Sequence, residues 1–278
     1  MEITTIVGCK VSCVYCPQKK FVTAYKNRSD IFKFELHDFK RMLAKIPTEV
    51  DIFFCGMSEP FLNPECASMI AFAHQKGHKI SIDTTLVGMS LADLEQIKGI
   101  PLQFLAIHLP SAEGYENIHV DVNYLELLNI ITSGGLDYAR LYLHYYGEKL
   151  HPEIMLKDAV RIPLYSRGGS IKVESLTLPT RAKGKIGCRR NLRYNILLPN
   201  GDVLLCSTDW EMKHIIGNLN ESDYDALFTG KEFQNIVAGL RDERIDILCR
   251  FCESHMYDAD AHAKLLNLGS RIKRILRK

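Results

Sequence analysis

Short apolar runs alternate with amphipathic segments over residues 1–178 of the chain. Runs that are rich in β-branched and aromatic side chains predict strands, and they lie at 3–7, 50–54, 79–83, 104–108, 139–144 and 170–176. Segments in which apolar residues recur every three or four positions predict helices. They lie at 36–45, 64–75, 91–98 and 122–132, with a weaker pattern at 152–160.

Strands and helices that alternate in this way predict an α/β fold with a parallel sheet, because each crossover helix returns the chain to the same edge. Six strand–helix units fit either a partial (β/α)6 barrel or a doubly wound sheet, and we expect the partial barrel. In both architectures the functional side chains lie at the carboxyl ends of the strands. The residues directly after each apolar run are therefore the candidates for functional side chains.

The pattern changes after residue 178, and we expect a core domain over 1–178 and a smaller domain over 179–278. Two extended runs, 194–198 and 203–206, flank Asn200-Gly201, a dipeptide typical of a tight hairpin turn. A helical pattern follows at 224–240. The last residues, 271–278, combine basic and apolar side chains and predict a C-terminal helix with a solvated basic face.

The charge balance disfavours a dedicated nucleic-acid binder, because 35 Lys and Arg stand against 33 Asp and Glu, for a net charge of +2. Hydrophobic residues make up 46% of the chain, a share typical of a globular protein rather than a disordered one. No apolar run approaches the roughly 18 residues of a membrane-spanning helix, and the N-terminal residues lack the pattern of a signal peptide. We therefore expect a cytoplasmic protein without a membrane span.

Nine cysteines are the unusual feature of the composition. In a reducing compartment, clustered cysteines bind metals more often than they form disulfides. Cys9, Cys13 and Cys16 follow the first predicted strand with the spacing C-x3-C-x2-C. Three thiolates on one loop can hold three irons of a cubane cluster and leave the fourth open, whereas structural zinc takes four protein ligands. The spacing therefore favours an iron–sulfur cluster.

This motif resembles the signature of the radical S-adenosylmethionine (radical SAM) superfamily, in which an aromatic residue, here Tyr15, precedes the third cysteine. The resemblance implies that the three cysteines ligate a [4Fe-4S] cluster whose open iron binds S-adenosylmethionine. It also implies an electron source such as flavodoxin or ferredoxin, and a 5′-deoxyadenosyl radical that abstracts hydrogen from the substrate. Side chains cannot attack such unactivated C–H bonds, so the cofactor supplies the chemistry.

Residues at the ends of the next three predicted strands extend the resemblance. The stretch 56–60 is similar to the family's G-x-G-E-P, which receives the methionine amino group, with Ser58 in place of the second glycine. The stretch 83–85 stands where hydroxyls could reach the methionine carboxylate or the ribose, and a serine that follows the fourth strand stands where a ribose contact is common. The implied cofactor-binding residues are Tyr15, Gly56, Ser58, Glu59, Asp83, Thr84, Thr85 and Ser111.

A second group of cysteines lies in the last third of the chain: Cys188, Cys206, Cys249 and Cys252. Four thiolates complete either a zinc tetrahedron or a fully ligated [4Fe-4S] cluster, and their spacing alone leaves both open. The order C-x12-G-x4-C followed by C-x2-C resembles the shortened SPASM domain called twitch, which carries one auxiliary [4Fe-4S] cluster. The resemblance thus implies two clusters and a metal role for seven of the nine cysteines.

An auxiliary cluster of this kind implies an oxidation. Removal of hydrogen from a carbon that bears a hydroxyl, followed by loss of a proton and of an electron to the cluster, yields a ketone. We expect an oxidoreductase acting on a small polar metabolite such as a sugar, a nucleotide-sugar or a cyclitol. Maturases of ribosomal peptides, the first alternative, commonly carry a leader-binding module before the cluster loop, and here eight residues precede Cys9.

Two further alternatives depend on other features. Cys55 ends the second predicted strand. Its thiol could return a hydrogen atom to a substrate radical in an epimerase, or the side chain could fill the core. For Cys66 we expect a core position. The other alternative is an iron–sulfur sensor or scaffold. The motifs at the strand ends disfavour it, because they resemble a pocket for S-adenosylmethionine that a sensor would not need. The candidate catalytic residues are Cys55, His108, His144, Tyr146, Glu174 and Arg181. Arg167 lies near the ends of the fifth and sixth predicted strands.

Overall fold

The structure is a computed structural model that describes residues 1–171, 178–188 and 194–256. Within these ranges the strands are β1 (Glu2–Ile3), β2 (Ile52–Phe54), β3 (Ile80–Thr84), β4 (Leu102–His108), β5 (Leu141–Tyr145), β6 (Val160–Arg161), β7 (Gly187–Cys188), β8 (Ile196–Leu197), β9 (Asp202–Leu204), β10 (Ile215–Asn218) and β11 (His255–Met256). The α-helices are α1 (Gln18–Lys26), α2 (Leu36–Leu43), α3 (Cys66–Gln75), α4 (Leu91–Ile97), α5 (Val122–Ile130) and α6 (Lys231–Arg241). Short 3-10 turns lie at Pro60–Leu62, Tyr224–Phe228 and Leu248–Phe251.

Nine of these strands form one mixed sheet in the order β10-β9-β8-β1-β2-β3-β4-β5-β6. Strands β1 to β6 run parallel, and their order in the sheet follows the chain. A doubly wound sheet would reverse its strand order at a switch point, so the unbroken order is that of the expected partial barrel. The α/β fold class is confirmed.

The predicted strands and helices form for reasons that are local. Ile52, Phe54 and Ile80 are fully buried, as expected of parallel strands that are covered on both faces. Ser90 begins α4 with a capping box, and the carboxylate of Asp121 accepts the amide hydrogen of Tyr124 at 2.8 Å to begin α5. These caps satisfy amide groups that a helix N-terminus otherwise leaves unpaired.

The structure differs from the expected elements at four places. The predicted helix at 224–240 is a 3-10 turn, Tyr224–Phe228, followed by α6 from Lys231 onward. The predicted strand at 170–176 lies largely outside the described residues, and β6 takes the sixth position in the sheet. The segment 152–160 is not a helix, because Met155 of its apolar pattern is 86% exposed and has no core to pack against. Helix α1 went unpredicted; it follows Pro17 and buries Phe21 and Tyr25, one helical turn apart.

The C-terminal hairpin continues the core sheet. Strand β8 pairs in parallel with β1, so that Glu2 faces Ile196, and β9 is antiparallel to both β8 and β10. Strands β7 and β11 form a separate antiparallel pair. The predicted basic helix at 271–278 lies outside the described residues. Among the helices in the described ranges, none has the length and apolar character needed to cross a membrane.

Candidate active site

A cavity of about 370 Å³ opens at the carboxyl ends of β1–β4. Its volume lies within the roughly 300–1,000 Å³ of small-molecule sites. The loop between β1 and α1 brings the three cysteines of the first group to its wall. The structure thus brings together that group and most of the strand-end residues predicted from the sequence: Tyr15, Cys55, Gly56, Ser58, Glu59, Asp83, Thr84, Thr85 and His108.

Burial keeps the cysteines of the first group protonated when no metal is bound. It raises the pKa of the Cys13 thiol to about 12 and that of Cys16 to about 11. Because metals bind the thiolate, a cluster at this loop must displace those protons.

Glu59 ties together the loops after β2 and β3. Its carboxylate accepts hydrogen bonds from the Thr84 hydroxyl at 2.7 Å, from the amide and hydroxyl of Thr85, and from the Phe61 amide at 3.1 Å. Burial raises the pKa of this carboxyl, while the four donors oppose that rise. The hydrogen bonds fix the wall of the cavity that faces the first cysteine group.

Gly56 allows the loop after β2 to approach β1 closely. Its φ is +71°, and a Cβ there would collide with the Thr4 hydroxyl and lie 3.0 Å from the Thr4 amide nitrogen. Thr4 is fully buried, and its hydroxyl accepts the Met57 amide hydrogen at 3.0 Å. The strand therefore cannot move aside without losing that hydrogen bond.

Gly56→Ala should lower the free energy of unfolding by about 3 kcal/mol, of which roughly 1–2 kcal/mol is left-handed backbone strain and the rest overpacking. Gly77→Ala is the matched control, because Gly77 has φ +92° and open space where its Cβ would lie. Anaerobic thermal unfolding of both variants checks this. Equal melting temperatures would show that the Thr4 contact does not restrict this position.

Cys55 lies at the end of β2, on the cavity wall. Its sulfur lies 3.7 Å from the Phe53 carbonyl oxygen. Burial, followed by the negative charges of Glu2 and Asp83, raises the pKa of this thiol well above its usual value. The thiol is therefore protonated and carries a hydrogen atom beside the cavity. Cys66, in contrast, is fully buried in the core, as expected.

Asp83, His108 and His144 meet at the ends of β3, β4 and β5. His108 and His144 are directly paired in the sheet, and their Nε2 atoms lie 2.8 Å apart. His108 Nε2 also lies 3.1 Å from Asp83 Oδ1. Burial and then the proximity of His108 lower the pKa of His144 to about 4. Burial would raise the pKa of Asp83, but His108, His144 and Arg167 outweigh it and lower that pKa.

A second cavity of about 460 Å³ begins at these three side chains. Asp83, His108 and Arg167 line both cavities. Tyr146, a predicted catalytic candidate that directly follows β5, also lines the second cavity. Its hydroxyl accepts a hydrogen bond from Arg167 at 3.4 Å. The residues that line this cavity also include Thr208, Glu253 and Ser254, which are close in sequence to cysteines of the second group.

Glu253 holds Arg167 at the junction of the two cavities. Its carboxylate accepts hydrogen bonds from the Ser166 hydroxyl at 2.9 Å, the Arg167 amide at 3.0 Å and the Gly168 amide at 3.1 Å. Arg167 adopts φ +53°, a left-handed conformation that is unfavourable for a side chain of this size. The bonds to Glu253 compensate for that strain and link the arginine to the residue next to Cys252.

The second cysteine group is buried: Cys188 on β7, Cys206 after β9, and Cys249 and Cys252 around the last 3-10 turn. Burial raises the pKa of Cys206 to about 12 and that of Cys249 well above its usual value. Between the last two cysteines, the fully buried Arg250 donates hydrogen bonds to the carbonyls of Ala182, Gly184 and Gly239. The C-x2-C turn is therefore fixed to the rest of the domain.

Two predicted site residues lie elsewhere, and a third falls outside the described residues. Ser111 lines neither of the two cavities; its hydroxyl donates to Glu116 at 2.9 Å, and the Tyr15 hydroxyl donates to the other oxygen of Glu116 at 2.7 Å. Arg181 is half-exposed, binds the Glu243 carbonyl and lies 3.6 Å from Asp246, away from both cavities. Glu174 lies outside the described residues.

Two unpaired polar atoms on the first cavity wall fit a bound cofactor with both donor and acceptor groups. Gln18 Oε1 and Trp210 Nε1 are buried and have no hydrogen-bond partner among the residues that the structure describes. The amide nitrogen of Gln18 donates to the Met57 carbonyl and fixes the side chain beside Cys16. Sequence reasoning missed both residues, although Gln18 follows the cysteine motif directly and Trp210 is the single tryptophan of the chain. S-adenosylmethionine, with its amine, hydroxyl and adenine groups, offers suitable partners.

Comparison with known proteins agrees with this arrangement. Residues 188–253 match the SPASM family, described as an iron–sulfur cluster-binding domain. This match includes all four cysteines of the second group. No curated protein matches the chain.

Several solved structures share the fold. BtrN in complex with AdoMet and 2-DOIA has a TM-score of 0.60 at 14% identity, with 92% of each chain covered. The protein anSMEcpe with bound AdoMet and the Cp18Cys peptide has a TM-score of 0.52 at 13% identity, over 91% of this chain and 87% of that one. SuiB of Streptococcus suis has a TM-score of 0.50 at 13% identity, over 85% and 67%. The solved structures thus share the fold of this chain, and the family match assigns residues 188–253 to the iron–sulfur cluster-binding domain expected for the C-terminal part.

Proposed function

We propose that this protein is a radical SAM oxidoreductase that oxidises an alcohol of a small polar metabolite. Cys9, Cys13 and Cys16 would hold the cluster that binds S-adenosylmethionine, and the second cysteine group would hold an auxiliary [4Fe-4S] cluster. When bound, these groups supply one-electron chemistry: a radical that takes a hydrogen atom from carbon, and an acceptor for the second electron.

The second cavity carries this proposal. It adjoins the first cavity through Asp83, His108 and Arg167, and it ends at Thr208 and Glu253. Thr208 Oγ1 lies 2.9 Å from the sulfur of Cys206, and Glu253 follows Cys252 directly. A substrate in this cavity would lie between the two cysteine groups, as a two-step oxidation requires. The strand-end side chains would bind its hydroxyl, and Arg167 would bind a further polar or anionic group.

The family match supports an iron–sulfur cluster over zinc in the second cysteine group. Residues 188–253, which include all four of its cysteines, match a domain described as iron–sulfur cluster-binding. Four thiolates can complete a [4Fe-4S] cluster as well as a zinc tetrahedron, so the residues present fit the cluster.

The size of the second cavity favours a small molecule. At about 460 Å³ it fits a metabolite or a single side chain better than an extended peptide. Among the solved structures of similar fold, one is in complex with 2-DOIA and one holds the Cp18Cys peptide, so the fold alone does not decide between a small molecule and a peptide.

A screen of sugars, nucleotide-sugars and cyclitols with the reduced enzyme and S-adenosylmethionine tests the proposal. The true substrate should increase 5′-deoxyadenosine formation and yield a product two hydrogens lighter, detected by mass spectrometry. A product of unchanged mass, or a peptide as the only class that responds, would contradict it.

Cys55 supports epimerisation as a second candidate function, because its protonated thiol lies on the cavity wall. In deuterated water an epimerase should place one solvent deuterium in its product, and Cys55→Ala should abolish that incorporation while 5′-deoxyadenosine is still made. Cys66→Ala, in the core, is the control. An oxidoreductase should give no such incorporation, with or without Cys55.

A further inference from the structure

We infer that Asp83, His108 and His144 form a binding site for one divalent transition-metal ion, separate from the two cysteine groups. Among the described residues, these three supply the one set of His, Cys, Asp or Glu ligand atoms that all lie within 4.8 Å of one another. The site faces both cavities at their junction.

The sheet positions these ligands. His108 and His144 are register partners at the ends of β4 and β5, and Asp83 pairs with Ala106, two residues before His108 on the same face of β4. Side chains two apart along a strand share a face, so all three converge on one point. Because the ligands come from three adjacent strands, their geometry is rigid, as a preorganised metal site requires.

Hydrogen bonds alone do not satisfy this cluster. His108 Nε2 lies 2.8 Å from His144 Nε2 and 3.1 Å from Asp83 Oδ1, yet a ring nitrogen carries at most one hydrogen. Asp83 Oδ1 is buried and accepts no well-formed hydrogen bond from any described residue. A cation at the point of convergence would satisfy both imidazole lone pairs and this carboxylate oxygen at once.

The ligand set indicates the class of metal. Two imidazoles and one carboxylate are typical of first-row divalent ions such as Fe²⁺, Mn²⁺, Co²⁺ and Zn²⁺, whereas Ca²⁺ and Mg²⁺ prefer oxygen ligands. Three protein ligands leave coordination positions open toward the second cavity. If the proposed function holds, the ion would bind the substrate hydroxyl and lower its pKa, so that the alcohol proton is lost more readily.

Room-temperature electron paramagnetic resonance of free Mn²⁺ tests the site in the cluster-loaded protein after brief treatment with a chelator. Wild type should bind one Mn²⁺ per chain, and Zn²⁺ should displace it, because zinc binds such ligands more tightly. Asp83→Asn and His144→Gln should each weaken Mn²⁺ binding by roughly 10- to 100-fold or more. His37→Gln, at a side chain that is 79% exposed, is the control and should bind as wild type does.

The visible absorption of the clusters in each variant must match that of wild type, which shows that a loss of Mn²⁺ binding does not result from unfolding. A variant that fails this check is replaced by His108→Gln. No Mn²⁺ or Zn²⁺ binding by wild type up to millimolar concentrations would overturn the inference. Equal Mn²⁺ binding by wild type and the ligand variants would also overturn it. Neither outcome depends on 5′-deoxyadenosine formation, so failure of the metal site and failure of the proposed function are distinguishable.

Discussion

Replacing Cys9, Cys13 and Cys16 together by alanine should lower the iron content of the reconstituted, chelator-treated protein from about eight to about four per chain. The three residues share one loop on the wall of the first cavity, and α1 and β1 hold that loop at both ends. Removal of the ligands therefore removes one cluster without disturbing the second group. Iron and sulfide analysis measures the change, which should abolish 5′-deoxyadenosine formation.

Cys66→Ala is the matched control for this triple variant. It removes a thiol that is fully buried in α3 and belongs to neither cysteine group. This variant should keep about eight irons per chain. The assignment of two cubane clusters would be contradicted if the triple variant kept all of its iron. Tightly bound zinc in place of half of the iron in wild type would also contradict it.

Replacing Cys249 and Cys252 together by alanine should also remove about four irons but leave cleavage of S-adenosylmethionine in place. These cysteines flank the buried Arg250, whose three carbonyl contacts keep the turn attached to the domain when the cluster is absent. The reaction should then stop after hydrogen abstraction, because no acceptor takes the second electron. Formation of the oxidised product should fall by roughly 100-fold or more, a loss of about 3 kcal/mol.

The double variant Cys188→Ala with Cys206→Ala removes the other two ligands of the same cluster. It should likewise cleave S-adenosylmethionine but form little oxidised product. Anaerobic thermal unfolding shows whether either double variant has lost its fold. Full oxidation of the substrate by folded double variants that lack the iron would exclude the auxiliary cluster as the electron acceptor.

The sequence predicts what depends on neighbouring residues. Strand β2 is a continuous apolar run, as expected of a parallel strand that is covered on both faces. Helix α4 begins at a capping box that is visible in the sequence as Ser90 and Asp93. The first cysteine group and the stretch 56–60 are equally local, because each lies within one loop. Such features can be recognised without knowing the fold.

The remaining features depend on contacts between distant segments. Glu253 meets Arg167 across 86 positions, and Glu116 meets Tyr15 across 101, so neither partner indicates the other in the sequence. The pairing of β8 with β1 likewise joins residues that are distant in the chain, such as Glu2 and Ile196. His108 and His144 were separate candidates, and the register of β4 and β5 was needed to bring their ring nitrogens together.

Cleavage of S-adenosylmethionine tests the central claim most directly. The wild-type protein, reconstituted anaerobically with iron and sulfide and reduced with dithionite, should convert S-adenosylmethionine to methionine and 5′-deoxyadenosine, detected by liquid chromatography and mass spectrometry. The Cys9, Cys13 and Cys16 triple variant should yield none. Wild-type protein that holds about eight irons and forms no 5′-deoxyadenosine would contradict the account.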